Sequence, residues 1–241
     1  PTRPSSAPSA PKSAPSAPKL PPAPIETHGY VDAEGFEALL TGLAACEVTM
    51  QGIEPRCGAL KRYTAALRNR GHIERPWHEV DKRLGLKHLL HEDPAVRLQA
   101  SLLLGPLQTP TEKALDPLIA ATRIEVHPGV VKHFIKRLGR GALLHQRATD
   151  LMLEFAGHES EAVRLTATDW LTDARARHIP EAIERAMLLA QEDSSARVKQ
   201  RALSRLGNGG DDRVIPLLEE ILKTSKGTSR RRAAAFRALL T

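Results

Sequence analysis

The chain has 241 residues, of which 35 are Lys or Arg and 28 are Asp or Glu, so its formal net charge is +7 at pH 7. Hydrophobic residues make up 41% of the chain but aromatic residues only 3%, a balance typical of thin helical layers filled by Ala and Leu. No run of about 18 consecutive apolar residues occurs, so the sequence predicts no membrane-spanning helix.

Residues 1–24 form a low-complexity segment with nine Pro, five Ser and five Ala and no acidic residue. Such a segment cannot bury enough apolar surface to offset the entropy lost on ordering. We expect a disordered, semi-rigid Pro/Ala/Ser-rich tether with local polyproline II character. A tail with no particular role, and a proline-rich ligand for another domain, are the alternatives.

Residues 25–74 are predicted to form an N-terminal helical hairpin. Its first helix ends near Cys46 and its second begins near Cys57, with a loop containing Gly52 and Pro55 between them. These two cysteines are the only ones in the sequence, and ten residues separate them. This arrangement favours one disulfide across the junction, with two buried free thiols as the alternative. A Cys-x10-Cys spacing is not typical of a zinc site.

The predicted disulfide bears on localisation, because such bonds persist in oxidising compartments. Together with the tether, it predicts an exported bacterial protein that is periplasmic or anchored at the outer membrane. A lipid attached upstream of Pro1 is one form that the anchor could take. A cytoplasmic protein is the alternative.

Residues 75–241 repeat one helical pattern about five times. In "HEDPAVRLQASLLLG" the positions of Val96, Ala100 and Leu104 set the pattern, and the same spacing recurs downstream. The copies end at Gly105, Gly139, Thr172, Gly207 and Leu240, which gives separations of 34, 33, 35 and 33 residues. A period this steady is typical of a stacked solenoid.

A second amphipathic segment precedes each copy. Leu115, Leu118 and Ile119 in "EKALDPLIAATRI" show the spacing, with apolar residues recurring at i, i+3 and i+4. The repeating unit is therefore predicted to be a helix A, a short turn and a helix B.

The B-helix pattern D-x-x-V-R-x-x-A-x-x-x-L-G, preceded by a proline-containing A helix, resembles HEAT repeats. The resemblance covers roughly residues 75–241. It implies an all-α fold, a right-handed α-solenoid of about five helix pairs. It also implies a role in binding other proteins, since most such arrays do so and some bind nucleic acid.

In the family that this chain resembles, an acid before helix B and a base within it form a ladder between neighbouring repeats. The matching acids are Asp93, Glu159 and Asp193, and the matching bases are Arg97, Arg164 and Lys199. In the third copy Val131 replaces the base and His127 replaces the acid. We therefore expect a structural ladder that is broken at that copy.

No motif in the sequence predicts catalysis. The ten His residues lack metal-ligand spacing, and those in turns between helices, such as His91 and His158, are better explained as caps or solvated side chains. No phosphate loop follows a strand, and no Ser or Thr lies in a nucleophile elbow. The sequence predicts a protein that is not an enzyme and that has no cofactor and no metal site.

Charge is distributed unevenly along the chain. Residues 25–193 carry 21 basic against 24 acidic residues, whereas residues 194–241 carry 11 against 4. Several bases recur at matching B-helix positions, and the resemblance implies that B helices line the concave surface. Trp170 occupies a position where other copies carry Leu103, Arg137 and Arg205, and because this position tolerates charge we expect Trp170 to be exposed on or beside the binding face. The predicted partner-binding set is Lys136, Arg137, Trp170, Arg201, Arg205 and Arg237.

These patterns favour a non-enzymatic, tethered scaffold that binds an acidic region of another protein. Nucleic-acid binding through the basic C-terminal third is the runner-up. A third possibility is that the bases at matching B-helix positions, which we call the basic stripe, are only the solvated face of a capping repeat.

Overall fold

The computed structural model describes residues 32–71, 79–104, 112–142, 145–176, 178–207 and 211–224, together with Ala235. The predicted tether lies outside these residues. The described part contains eleven α-helices, three short 3₁₀ turns and one small β-hairpin. The helices are α1 (Ala33–Thr41), α2 (Gly58–Gly71), α3 (Glu79–His88), α4 (Pro94–Leu103), α5 (Glu112–Ile124), α6 (Pro128–Ala142), α7 (Gln146–Phe155), α8 (Glu161–Leu171), α9 (Pro180–Glu192), α10 (Ala196–Gly207) and α11 (Ile215–Thr224).

The helices are arranged as two layers of a repeat solenoid, as predicted. Successive helices pack as the pairs α3/α4, α5/α6, α7/α8 and α9/α10. The second members, α4, α6, α8 and α10, stack on one another and form the B-helix layer. The A helices α5, α7 and α9 stack in the same order behind them. Of the last B-helix copy only Ala235 is described, and it is helical and buried.

One valine per repeat anchors the core. Val96, Val130, Val163 and Val198 occupy the same position in their B helices, and each is completely buried. Burying a side chain of this size contributes about 1.5–3 kcal/mol relative to leaving it exposed. The valines that define the sequence pattern are therefore core residues, one in each repeat.

Asp93 shows how a B helix begins. Its carboxylate accepts hydrogen bonds from the backbone N–H groups of Ala95 (2.8 Å) and Val96 (3.3 Å). Pro94 occupies the first helical position, where the absence of an N–H group costs nothing. The acid and the proline of the pattern are thus helix-start residues.

The N-terminal unit contains a feature that the sequence analysis missed, a two-stranded antiparallel hairpin of β1 (Val48–Thr49) and β2 (Gly52–Ile53). The Thr49 hydroxyl donates to the Gly52 carbonyl (2.9 Å) and accepts from the Gln51 N–H (3.1 Å). Gly52 has φ of +128°, a conformation open to glycine. These contacts fix a tight turn whose tip is Met50 and Gln51.

A disulfide between Cys46 and Cys57 closes the base of this hairpin, which confirms the predicted pairing; the two Cα atoms lie 5.7 Å apart. Behind the hairpin, Phe36 of α1 and Tyr63 of α2 stack with their ring centroids 5.3 Å apart. Helix α1 also packs on α4, so the N-terminal unit covers the first repeat of the solenoid.

Candidate functional site

A groove of about 710 Å³ runs across the B-helix layer, lined by α6, α8, α10 and the tip of the β-hairpin. Each helix presents residues spaced three or four apart, so their side chains lie on one face. The charged side chains that line the groove are Lys132, Lys136, Asp169, Arg197 and Arg201. Among the residues that the structure describes, four cations therefore line the groove with a single carboxylate.

The β-hairpin forms one wall of the groove because it lies directly on α6. The Lys132 ammonium donates to the Met50 carbonyl at 2.7 Å. A Cβ atom placed on Gly129 would lie 2.6 Å from the Thr49 carbonyl oxygen, so only glycine allows this approach. The hairpin is therefore held against α6 by the Lys132 contact and by a glycine that leaves room for it.

The positive charges of the groove influence one another. Burial, and then the nearby charges of Lys136 and Arg197, lower the pKa of Lys132. Burial and the charge of Lys136 likewise lower the pKa of His133, which keeps its imidazole neutral near pH 7. An anion entering the groove would relieve this mutual repulsion.

Asp169 lies in the middle of the groove and is shared by two arginines of the next repeat. The Arg201 Nε atom lies 2.8 Å and the Arg205 Nε atom 3.3 Å from Asp169 Oδ1. Both arginine side chains are about half exposed, at 47% and 48%. The Asp169 side chain is 36% exposed, but its Oδ1 atom is buried beneath the two guanidinium groups, so the arginines are the solvent-exposed side of these pairs.

The structure brings only part of the predicted partner-binding set together. Lys136 and Arg201 line the groove, and Arg205 borders it through Asp169. Arg137 is half-buried: its guanidinium donates to the Leu102 carbonyl at 3.3 Å, and burial lowers its pKa. Arg237 lies outside the described residues.

The expectation that Trp170 is exposed was wrong, because its side chain is 7% exposed and belongs to the hydrophobic core. The equivalent residues Arg137 and Arg205 both reach back to the preceding B helix, so this position points into the seam between helices. An arginine there buries its aliphatic stem and extends its charged end to the edge. Charge at equivalent positions therefore did not indicate exposure of the tryptophan.

Sequence reasoning also missed two groove cations and the hairpin wall. Lys132 lies one turn before Lys136, and Arg197 one turn before Arg201, so the i, i+4 spacing in the sequence could have revealed both. The contact of Met50 and Gln51 with α6 spans about eighty residues of sequence and had no local signal.

A buried ladder joins α8 to the turn before α10. The Arg164 Nε atom donates to Asp193 Oδ2 at 2.7 Å and its Nη2 atom to Oδ1 at 3.0 Å. Its Nη1 atom donates to the carbonyls of His158 and Glu159. The guanidinium thus ties its own turn to the next repeat.

Arg97, two repeats earlier, makes the same set of contacts with Glu125 as the acid. Its Nε atom donates to Glu125 Oε2 at 2.6 Å and its Nη2 atom to Oε1 at 2.7 Å. The expectation that the third copy lacks a ladder acid because His127 replaces it was wrong, since Glu125 supplies the acid two residues earlier. Glu125 also accepts from the His127 N–H at 2.8 Å. Because Val131 carries no charge, no ladder base follows in that copy.

The other residues assigned to the ladder have different surroundings. Asp93 caps its own helix, and the Glu159 side chain is exposed while its carbonyl accepts from Arg164. Burial raises the pKa of Asp193, but the hydrogen bonds from Arg164 and the Ser195 N–H, with the charges of Arg164 and Lys199, outweigh it and leave the pKa below its ordinary value. Lys199 therefore acts on the ladder by charge.

Two turn histidines act as caps, as predicted. The Nδ1 atom of His91 accepts from the Asp93 N–H at 3.0 Å, and that of His158 accepts from the Ser160 N–H at 2.9 Å. Glu125 and Asp193 make the equivalent bond in the alternate repeats.

Among the residues that the structure describes, no three His, Cys, Asp or Glu side chains are grouped to hold a metal ion. No helix within them is long and apolar enough to cross a membrane.

The comparison with known families agrees with this architecture. Residues 149–239, which include α8 to α11, match the family model for HEAT repeats. No curated protein matches the chain.

Proposed function

The chain is a HEAT-like helical repeat protein, and on that premise we propose that it is a scaffold, without enzymatic activity of its own, that binds an acidic region of another protein through its B-helix layer. HEAT repeats generally mediate protein–protein interactions, which supports the coarse assignment. The choice of face and of partner charge is our own inference from the groove.

The observation that carries the proposal is the excess of positive charge in the groove. Lys132 and Lys136 lie on α6, and Arg197 and Arg201 on α10, in the repeats on either side of α8. Among the described residues that line the groove Asp169 is the single acid, and Glu161 beside the groove lies 3.6 Å from Arg197. Complementary charge steers partners to a surface and selects among them. A partner that presents Asp and Glu side chains would match this pattern.

Nucleic-acid binding is supported less well by the same groove. Proteins that hold single strands combine basic residues with aromatic platforms on which bases stack. The side chains that line the groove include no aromatic residue among those described, and Trp170 is buried. An acidic protein region needs no aromatic platform and therefore suits this surface better than a nucleic acid.

We also propose that the protein works in an oxidising compartment, as an exported bacterial protein in the periplasm or at the outer membrane. The disulfide supports this, because cytosolic reductants keep most thiols reduced. Cell fractionation tests the proposal, and recovery in the cytosol with both thiols reduced would contradict it.

Charge reversal tests the binding face. We expect a variant carrying Lys136→Glu, Arg201→Glu and Arg205→Glu to lose its partner, with affinity reduced about tenfold or more, because three attractive contacts become repulsive. Arg201 and Arg205 also lose their ion pairs with Asp169, and exposed pairs of this kind contribute about 0–1 kcal/mol each, so folding is checked by thermal melting of the variant. The measurement is quantitative capture from a native host lysate, with the partner identified by mass spectrometry.

The matched control reverses three exposed bases of the A helices, Arg123, Arg147 and Lys223, with the same change in net charge. It should capture the partner as the wild type does. Equal capture by both variants would place the binding surface elsewhere. Capture of duplex DNA that weakens steeply with salt would favour the nucleic-acid alternative.

A further inference from the structure

Asp169 is an unusual residue for its place in the groove. The equivalent positions in the neighbouring B helices carry Lys136 and Ser204. Helix α8 therefore carries an acid where its neighbours carry a base and a serine. The Oδ2 atom of Asp169 accepts a hydrogen bond from Arg201 Nη2 at 3.0 Å, and its Oδ1 atom lies within ion-pair distance of the Nε atoms of Arg201 and Arg205. In the free protein it therefore holds the guanidinium groups that an acidic ligand would otherwise bind.

Across the groove, Lys136 is exposed and makes no salt bridge with any residue that the structure describes. The other groove cations are engaged: Lys132 by the Met50 carbonyl, Arg197 by Glu161 at 3.6 Å, and Arg201, like the bordering Arg205, by Asp169. Ion pairs as exposed as those of Asp169 contribute only about 0–1 kcal/mol, so an incoming carboxylate can displace the internal one at little cost.

The shape of the groove limits what can enter it. Its volume of about 710 Å³ is in the range of sites that enclose a small ligand or a short stretch of chain. The hairpin tip at Met50 and Gln51 bounds one side, held on α6 by the Lys132 contact. An extended peptide matches a groove of this volume, walled on one side by the hairpin and lined by cations on two B helices.

We propose that the groove binds an extended acidic segment of the partner protein, and that a carboxylate of this segment replaces Asp169 on Arg201 and Arg205. This deepens the proposed function and rests on it. A second carboxylate of the segment pairs with Lys136. Asp169 acts as a specificity-determining residue, because weakly acidic segments cannot compete with it and strongly acidic ones can.

Fluorescence anisotropy with a defined probe tests the inference. The probe is a fluorescein-labelled octapeptide of alternating Glu and Gly, and its Gln–Gly counterpart reports binding that is independent of charge. We expect Asp169→Asn to bind the Glu peptide about threefold more tightly, or better, because the internal competitor is gone. We expect Lys136→Gln to bind it about two- to fivefold more weakly, the range of an exposed charge pair.

Two control variants make the same chemical changes outside the groove. Asp116→Asn removes an exposed acid that is paired with Arg147 on the A-helix layer, and Lys223→Gln removes an exposed base of α11. Both should leave affinity for the peptide within about twofold. Thermal melting of all four variants establishes that they fold.

Three results would overturn the inference: equal binding of the Gln and Glu peptides, an affinity that Asp169→Asn leaves unchanged or weakens, or tighter binding of a single-stranded octanucleotide than of the Glu peptide. Failure of the wild type to bind the Glu peptide, while the triple charge reversal still abolishes partner capture, would reject only the peptide groove. Failure of that capture experiment as well would reject the proposed function.

Discussion

Replacing Arg164 by Met is expected to lower the free energy of unfolding by about 3–5 kcal/mol, the cost of leaving one member of a buried ion pair alone. The Asp193 side chain is only 2% exposed and takes two hydrogen bonds from this guanidinium. The carbonyls of His158 and Glu159 lose a donor at the same time. Denaturant unfolding monitored by circular dichroism measures the loss.

Two further variants separate the buried charge from the lost packing. Arg197→Met removes an arginine of the same layer that is 78% exposed, and should cost less than about 1 kcal/mol. Adding Asp193→Asn to Arg164→Met should recover part of the stability, because no buried charge is left and an acceptor for the Ser195 N–H remains. A loss below about 1 kcal/mol for Arg164→Met alone would show that the ladder contributes little.

The ladder also predicts a change in acid stability. Because the pKa of Asp193 is lower in the folded than in the unfolded protein, its contribution is present above the unfolded value of about 3.9 and is lost as the pH falls through the folded value. Without Arg164, burial still raises the pKa of the carboxyl and only the Ser195 N–H and the charge of Lys199 oppose it, so the pKa rises relative to the wild type. The Arg164→Met variant should therefore begin to unfold at a higher pH than the wild type.

Replacing both Cys46 and Cys57 by Ser is expected to cost about 3 kcal/mol, the chain-entropy value for a loop with a sequence separation of 11. The loss should be local, because each repeat contacts only its neighbours. We expect faster hydrogen exchange in the hairpin around Met50 and in the adjoining part of α6. Exchange in α9 and α10 should not change.

Chemical reduction of the wild type is the matched comparison, since it opens the same bond without a substitution. Its effect on hairpin exchange should equal that of the double Ser variant. Two freely alkylated thiols in the native, unreduced protein would contradict the assignment of the disulfide. Equal exchange in the oxidised and reduced proteins would show that α6 alone holds the hairpin.

Much of the fold could be predicted because its information is local and periodic. The pattern "ARVKQRALSRLG" begins and ends where α10 does, since one apolar stripe and one turn define a B helix. The cysteine pairing was also predictable, because only two cysteines are present and they flank one junction. The repeat period fixed the stacking order of the helices.

The candidate site was less predictable because it depends on the direction and contacts of individual side chains. The positions of the helices alone do not determine these. Trp170 shares its position with Leu103, which is completely buried, and with Arg137 and Arg205, so the sequence pattern at this position pointed both ways and only the structure shows that the indole is buried. Glu125 lies five residues before Val130, as Asp193 lies five before Val198, so the working acid sits at a repeat position that the alignment with Asp93 did not indicate. The hairpin of Met50 and Gln51 meets α6 only through tertiary packing.

Lysine acylation followed by mass spectrometry, with and without the captured partner, tests most directly whether the B-helix layer is the binding face. Lys136 is exposed in the groove and reports on the B-helix layer. Lys87 and Lys223 are exposed on A helices and report on the opposite layer. We expect the partner to slow labelling of Lys136 about threefold or more and to leave Lys87 and Lys223 unchanged. Unchanged labelling of Lys136 together with protection of Lys87 or Lys223 would contradict binding through the B-helix layer.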